Sequence, residues 1–121
     1  MVADLSLDDV VTFAGFLPQA ELNLLIRRAL ASLIYTSHDL NMLSIPETIV
    51  SGTPFVSTRV PLCAVHYADT YRVGVARDDW EESAIIEVID NNAEYMEHCK
   101  LLRNELSHIT SARRLIALFQ R

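Results

Sequence analysis

Two carboxylates and the polar run before them form the part of this sequence best suited to chemistry. Asp39 sits in Ser37-His38-Asp39-Leu40-Asn41, and Glu47 follows eight residues later, one turn into a helix expected to start at Ser44. A polar loop that empties into a helix N-terminus suits an anionic ligand, because free backbone N–H groups and the helix dipole converge there. Each residue also has a plain structural use. Ser44-Ile45-Pro46-Glu47 has capping-box spacing, with Ser44 at the N-cap and Glu47 folded back on its N–H. Asp39 suits an Asx-turn on its own backbone. His38 beside Asp39 suggests an acid–base pair, but neighbours on a loop need not face each other. His66, His98 and His108 have no spacing that puts two ligands on one helical face, so no metal is expected.

Elements of alternating type must position these residues. Val10 to Phe16 is a β-branched and aromatic run that predicts a first strand, and Pro18 opens a helix with Leu22, Leu25, Ile26 and Ala29 on one stripe expected to pack against it. Ala31 to Thr36 predicts a second strand. The helix from Ser44 to Ser51 ends at Gly52, and Thr53 to Ser57 returns as a third strand. Tyr71 to Ala76 predicts a fourth, interrupted by Gly74. Asp78-Asp79, ahead of Trp80, cap a helix with Ala84, Ile85, Val88 and Ile89 inward, and Glu81-Glu82 add favourable charge to its first turn. Two helices follow, with Met96, Cys99 and Leu106 along one face and Ala112, Leu115, Ile116 and Phe119 along the other's. The fold class expected is α/β: a partial Rossmann-like parallel sheet of about four strands, flanked by helices and closed by C-terminal helices. Such sheets bind ligands at the carboxyl ends of their strands.

Composition narrows the partners. The 121 residues are 50% hydrophobic, enough for one domain over residues 1–121, and the formal net charge is −6. That balance argues against capture of nucleic acid or of an anionic membrane. Cys63 and Cys99 are far apart among apolar neighbours, like reduced core thiols, and no apolar run approaches the ~20 residues of a membrane span, so a cytoplasmic, unprocessed protein is expected.

The block from Asp39 to Val56 resembles the E-x7-E region of retaining GT-B glycosyltransferases, where an acidic residue, a Gly-Phe-Gly turn, a second Glu, a small-residue helix and Gly-x-Pro-Val-Val follow one another. Glu47, Gly52, Pro54 and Val56 match. Val11 to Pro18 resembles that family's strand ending in Gly-Phe-x-Pro, and Gly74 resembles the Gly of its last strand. The likeness runs from about Val10 onward and implies the C-terminal portion of a nucleotide-sugar-binding domain, too short to be a whole enzyme. It further implies a nucleoside diphosphate sugar as donor, retained anomeric configuration and no bound cofactor; the acceptor is not legible. Donor binding would fall to Gly15, Phe16, Thr36, Leu40, Asn41, Met42 and Glu47, with Glu47 on the ribose and the 40–43 backbone on the diphosphate. Asp39 would address the donor sugar as the catalytic acidic residue.

The family's first Glu is here Asp39, and its two glycines are Leu40 and Met42. Its phosphate-binding Arg and Lys would precede Val10, where few residues stand. An interaction module that kept the fold after losing donor binding therefore stands as the alternative. A receiver domain fails, since Phe16-Leu17-Pro18 follows the first strand and no late strand ends in Lys. The parent domain also has two strands between those at Val10 and Ala31; without them an open edge needs a homodimer partner or the enzyme's N-terminal portion to cover it.

Overall fold

The computed structural model describes residues 3–40, 42–78 and 82–120. After a single 3₁₀ turn at Ala3–Leu5 come α1 (Gln19–Arg28), β1 (Ser32–Ile34), α2 (Ser44–Ser51), β2 (Phe55–Ser57), α3 (Leu62–Tyr71) and β3 (Gly74–Ala76). Helices α4 (Glu82–Asp90), α5 (Asn92–Glu105) and α6 (His108–Phe119) complete the order. The three strands form a parallel sheet in the order β1-β2-β3, with Leu33 opposite Val56 and Val56 opposite Val75. The chain is thus α/β, with three strands rather than four among the described residues.

The central strand, Phe55-Val56-Ser57, is buried throughout, as a parallel strand covered on both faces must be. Alternation sends Phe55 to one face, where Ile34, Ile45, Ile49, Ala64, Val73, Cys99 and Leu102 enclose it, and Val56 to the other, with Val75, Ala84, Val88 and Tyr95. Each large side chain so buried contributes about 1.5–3 kcal/mol. A hydroxyl seam ties the elements where the strands begin. Ser32 and Thr48 hydroxyls share a 2.6 Å bond, Thr48 Oγ1 donates to the Thr53 carbonyl, and Thr53 Oγ1 donates to the Ile26 carbonyl at 2.6 Å.

Gly52 ends α2 in the left-handed region at φ 87°, where a side chain would be strained. Gly74 is required by crowding instead: a Cβ there would stand 2.4 Å from the Phe55 carbonyl oxygen. Helix α5 passes beneath the beginnings of the strands. Asn92 Nδ2 donates to the Leu30 carbonyl at 2.6 Å, His98 Nδ1 donates to Arg72 O at 3.0 Å, and the Cys99 thiol donates to Val73 O at 3.6 Å.

Four expectations are corrected. Val10 to Phe16 forms no strand, and Phe13 and Phe16 are fully exposed. Helix α1 packs chiefly on α2, so the segment leading into it reaches no strand edge, and Leu22 and Leu25 have no first strand to cover. Tyr71 belongs to α3, a helix that the sequence did not suggest, rather than to the following strand. Ile89 is exposed, while Ala84 and Val88 are buried. Finally, Ser44 is not an N-cap: Leu43 is already helical (φ −64°, ψ −26°), and Ser44 Oγ is buried with no hydrogen-bond partner among the described residues. Asp79, Trp80 and Glu81, expected in the start of α4, lie outside the described residues.

Two apolar surfaces remain. Leu33 and Tyr35, on the α4 side of the sheet, are exposed beside the outer edge of β1, which pairs with no described strand. Helix α6 is well capped, Ser107 Oγ accepting from the Thr110 N–H at 3.1 Å, yet none of its residues is buried.

Candidate functional site

The carboxyl ends of β1, β2 and β3 open into residues 35–43, 58–61 and 77–78, the edge at which a parallel sheet presents ligands. Thr36 organises the first of these loops. Its Oγ1 accepts from the N–H groups of His38 at 3.3 Å and Asp39 at 3.1 Å, and its carbonyl accepts from Thr58 Oγ1 at 2.6 Å. A threonine hydroxyl therefore closes this turn. The His38 ring shares a 2.6 Å bond with Ser37 Oγ, and Asp39 and Leu40 are exposed. The Leu40 carbonyl accepts from the Leu62 N–H at 3.2 Å, and the Met42 carbonyl from the Ile45 N–H at 3.3 Å, which holds the loop against the starts of α3 and α2. Met42 turns its side chain partly into the core. Asn41 lies outside the described residues.

Glu47 points elsewhere on the same helix. Its N–H donates to the Leu43 carbonyl at 3.2 Å as an ordinary helical bond, so the reciprocal Ser44–Glu47 cap does not form and the side chain stands exposed. It lines a groove of about 710 Å³ between α1, α2 and the turn joining α5 to α6. That volume lies in the range of small-molecule sites. Gln19, Asn23 and Arg27, spaced four apart on α1, form a polar wall, and Leu43, just ahead of α2, forms an apolar one with Pro46 and Val50 of that helix. Gln19 Nε2 donates to Asn23 Oδ1 at 3.0 Å, a bond that uses neither the Gln19 side-chain carbonyl oxygen nor the Asn23 amide protons. The i, i+4, i+8 spacing of these polar residues was legible in the sequence but lacked a partner surface until α2 was placed.

The expected site residues therefore divide. Thr36, Asp39, Leu40 and Met42 share the loop after β1, and Glu47 occupies the groove, the two places meeting at Leu43. Gly15 and Phe16 stand exposed on the segment ahead of α1 and line neither place. Two cations missed by sequence reasoning stand at the sheet's carboxyl edge. Arg59 donates to the Ala76 carbonyl at 3.3 Å and pairs with Asp69 at 3.2 Å, while Arg77 pairs with Glu87 and donates to Ser83 Oγ at 3.2 Å. Their signal was position alone, one or two residues past a strand.

Among the described residues no group of three His, Cys, Asp or Glu side chains is placed to hold a metal ion, and no helix is long and apolar enough to cross a membrane. No family model, curated protein or solved structure matches the chain.

Proposed function

We propose that this chain is the donor-binding portion of a retaining glycosyltransferase of the E-x7-E type, and that it binds a nucleoside diphosphate sugar. The observation that carries the reading is Glu47, whose carboxylate faces a nucleoside-sized groove directly beside the loop that precedes α2. A ribose would place its two hydroxyls on that carboxylate, and the base would lie between the Gln19–Asn23 carboxamides and the Pro46–Val50 wall. The diphosphate would then reach the α2 N-terminus, where the helix dipole favours negative charge, and the sugar would extend toward Asp39. Transfer with retention follows from the family resemblance, with the acceptor bound by a part of the enzyme outside this chain.

The test is titration calorimetry with UDP, GDP and ADP. At least one is expected to bind, and Glu47→Ala should weaken it about tenfold or more, since a hydrogen bond to a charged group contributes about 1.5–3 kcal/mol. A folded chain that gives no heat with any of the three would sink the reading. One observation favours the alternative of a non-catalytic interaction module: Leu40 projects an exposed side chain where a glycine would let phosphate approach the backbone. If Leu40→Gly confers nucleotide binding that the natural chain lacks, that alternative holds.

A further inference from the structure

The outer edge of β1 pairs with no described strand, and its sequence does nothing to protect it. From Ala29 to Ser37 there is no charged residue and no proline, the devices that keep open strands from joining others. The Ser32 N–H bonds the Pro54 carbonyl beside β2, so alternation turns the N–H and C=O of Leu33 outward. On the α4 side of the sheet Leu33 is 50% exposed and Tyr35 66%, whereas Ala31, on the same face, packs with Ile85 against the Val56 cluster. A bare backbone edge thus runs beside a row of small, medium and large apolar side chains.

We propose that two copies of this chain pair their β1 strands antiparallel about a two-fold axis through Leu33, joining both sheets into one. In that register each Leu33 exchanges its N–H and C=O bonds with its own copy, and Tyr35 lies opposite Ala31, so a large exposed ring covers a small residue twice. An axis at Ser32 or Ile34 would instead pair strand residues with Leu30 or Thr36 and move Tyr35 off Ala31. Charge agrees with the central register. It brings the end of α1, where exposed Arg28 has no ion pair among the described residues, beside the loop that carries exposed Asp39 in the other copy. The chain's own strand-like run does not fill the place, since Ala14 and Leu17 line a hollow with Glu21 and Leu24 on the flank of α1. Covering Leu22, Leu30, Leu33, Tyr35 and the strand edge removes about 1,000 Å² over both copies, the area at which specific contacts begin.

Sedimentation velocity on the chain without nucleotide tests this. A reversible dimer is expected, with Leu33→Lys weakening it at least tenfold while the far-UV spectrum is kept, because half of Leu33 is exposed in the single copy. Disulfide capture then reads the register in a chain whose Cys63 is replaced by Ser. Leu33→Cys should link to its own copy under mild oxidation, the two Cα atoms lying about 5.5 Å apart across the axis. Two Tyr35→Cys residues would stand about 14 Å apart and should stay unlinked. A chain that remains monomeric at high concentration overturns the proposal, as does a dimer indifferent to Leu33→Lys or one that links through Tyr35→Cys as readily as through Leu33→Cys. Neither Leu33 nor Tyr35 lines the Glu47 groove, so failure here leaves the calorimetric result untouched, and a chain that binds no nucleotide can still form this dimer.

Discussion

The Thr58 hydroxyl donates to the Thr36 carbonyl across 2.6 Å, joining the loop after β2 to the loop after β1. Thr58 is buried, so Thr58→Val keeps the shape and removes the only proton on that side chain able to serve Thr36. We expect a loss of about 1–3 kcal/mol, the cost of a buried acceptor left unsatisfied, read as a lower urea midpoint. Unchanged stability would mean that water replaces the hydroxyl.

Gly74 admits no side chain. Gly74→Ala would drive a methyl group to 2.4 Å from the Phe55 carbonyl oxygen and 2.7 Å from its ring, and Phe55 is fully buried with no room to withdraw. Destabilisation of about 3 kcal/mol or more is expected, at the upper end for overpacking. Differential scanning fluorimetry that finds Gly74→Ala as stable as the natural chain would contradict the close approach of β2 and β3.

Arg72 caps α3 at φ 52°, a region that costs a residue with a Cβ about 1 kcal/mol. Its 3.4 Å pair with Glu94 is exposed at both ends and contributes little. Arg72→Gly should therefore raise the melting temperature. A fall would show that the ion pair, not the backbone, governs this corner.

Alkaline pH should unfold the chain through two buried acids. Burial pushes the Cys99 thiol up to about 12 from an ordinary 9.0. Burial, then the hydrogen bond to Glu87, pushes the Tyr95 hydroxyl up to about 12 from 10.0. Both folded-state values are raised, so the neutral forms are favoured. Their contribution is complete below pH 9 and is lost progressively as pH rises toward 12. Urea midpoints should fall across that window, and Cys99→Ala should flatten the lower part of the decline. At pH 8 a thiol reagent should label half-buried Cys63 and leave Cys99 untouched until unfolding.

What was legible in the sequence was local punctuation. Pro18 and Gly52 mark their helix ends correctly because each acts through its own backbone, and the run from Thr53 to Ser57 contains β2 because a strand buried on both faces must be apolar or small. Residues whose fate depends on a distant partner were misread. Val10 to Phe16 has a strand's composition but no edge to join, and Ser44 has a cap's spacing but sits one residue inside the helix. Helix α3 escaped notice because Val65, His66, Tyr67 and Thr70 are weak helix formers with little amphipathic pattern; packing of Ala64 and Ala68 against the sheet stabilises it instead. Glu47 was found by its motif, whereas the groove that gives its carboxylate a ligand-sized space needs α1 and the α5–α6 turn, 20 and 60 residues away in order of magnitude along the chain.

The passage of α5 beneath the strand beginnings also bears on synthesis. The Asn92–Leu30 bond spans 62 residues, and Cys99 and Leu102 plug the same core as Phe55. A nascent chain that has emerged only as far as β3 holds the three described strands but lacks this plug, leaving Phe55 and Val73 half-covered. Ribosome-bound intermediates of that length should recruit chaperones and resist cleavage poorly, and emergence of α4 and α5 should close them in a single step.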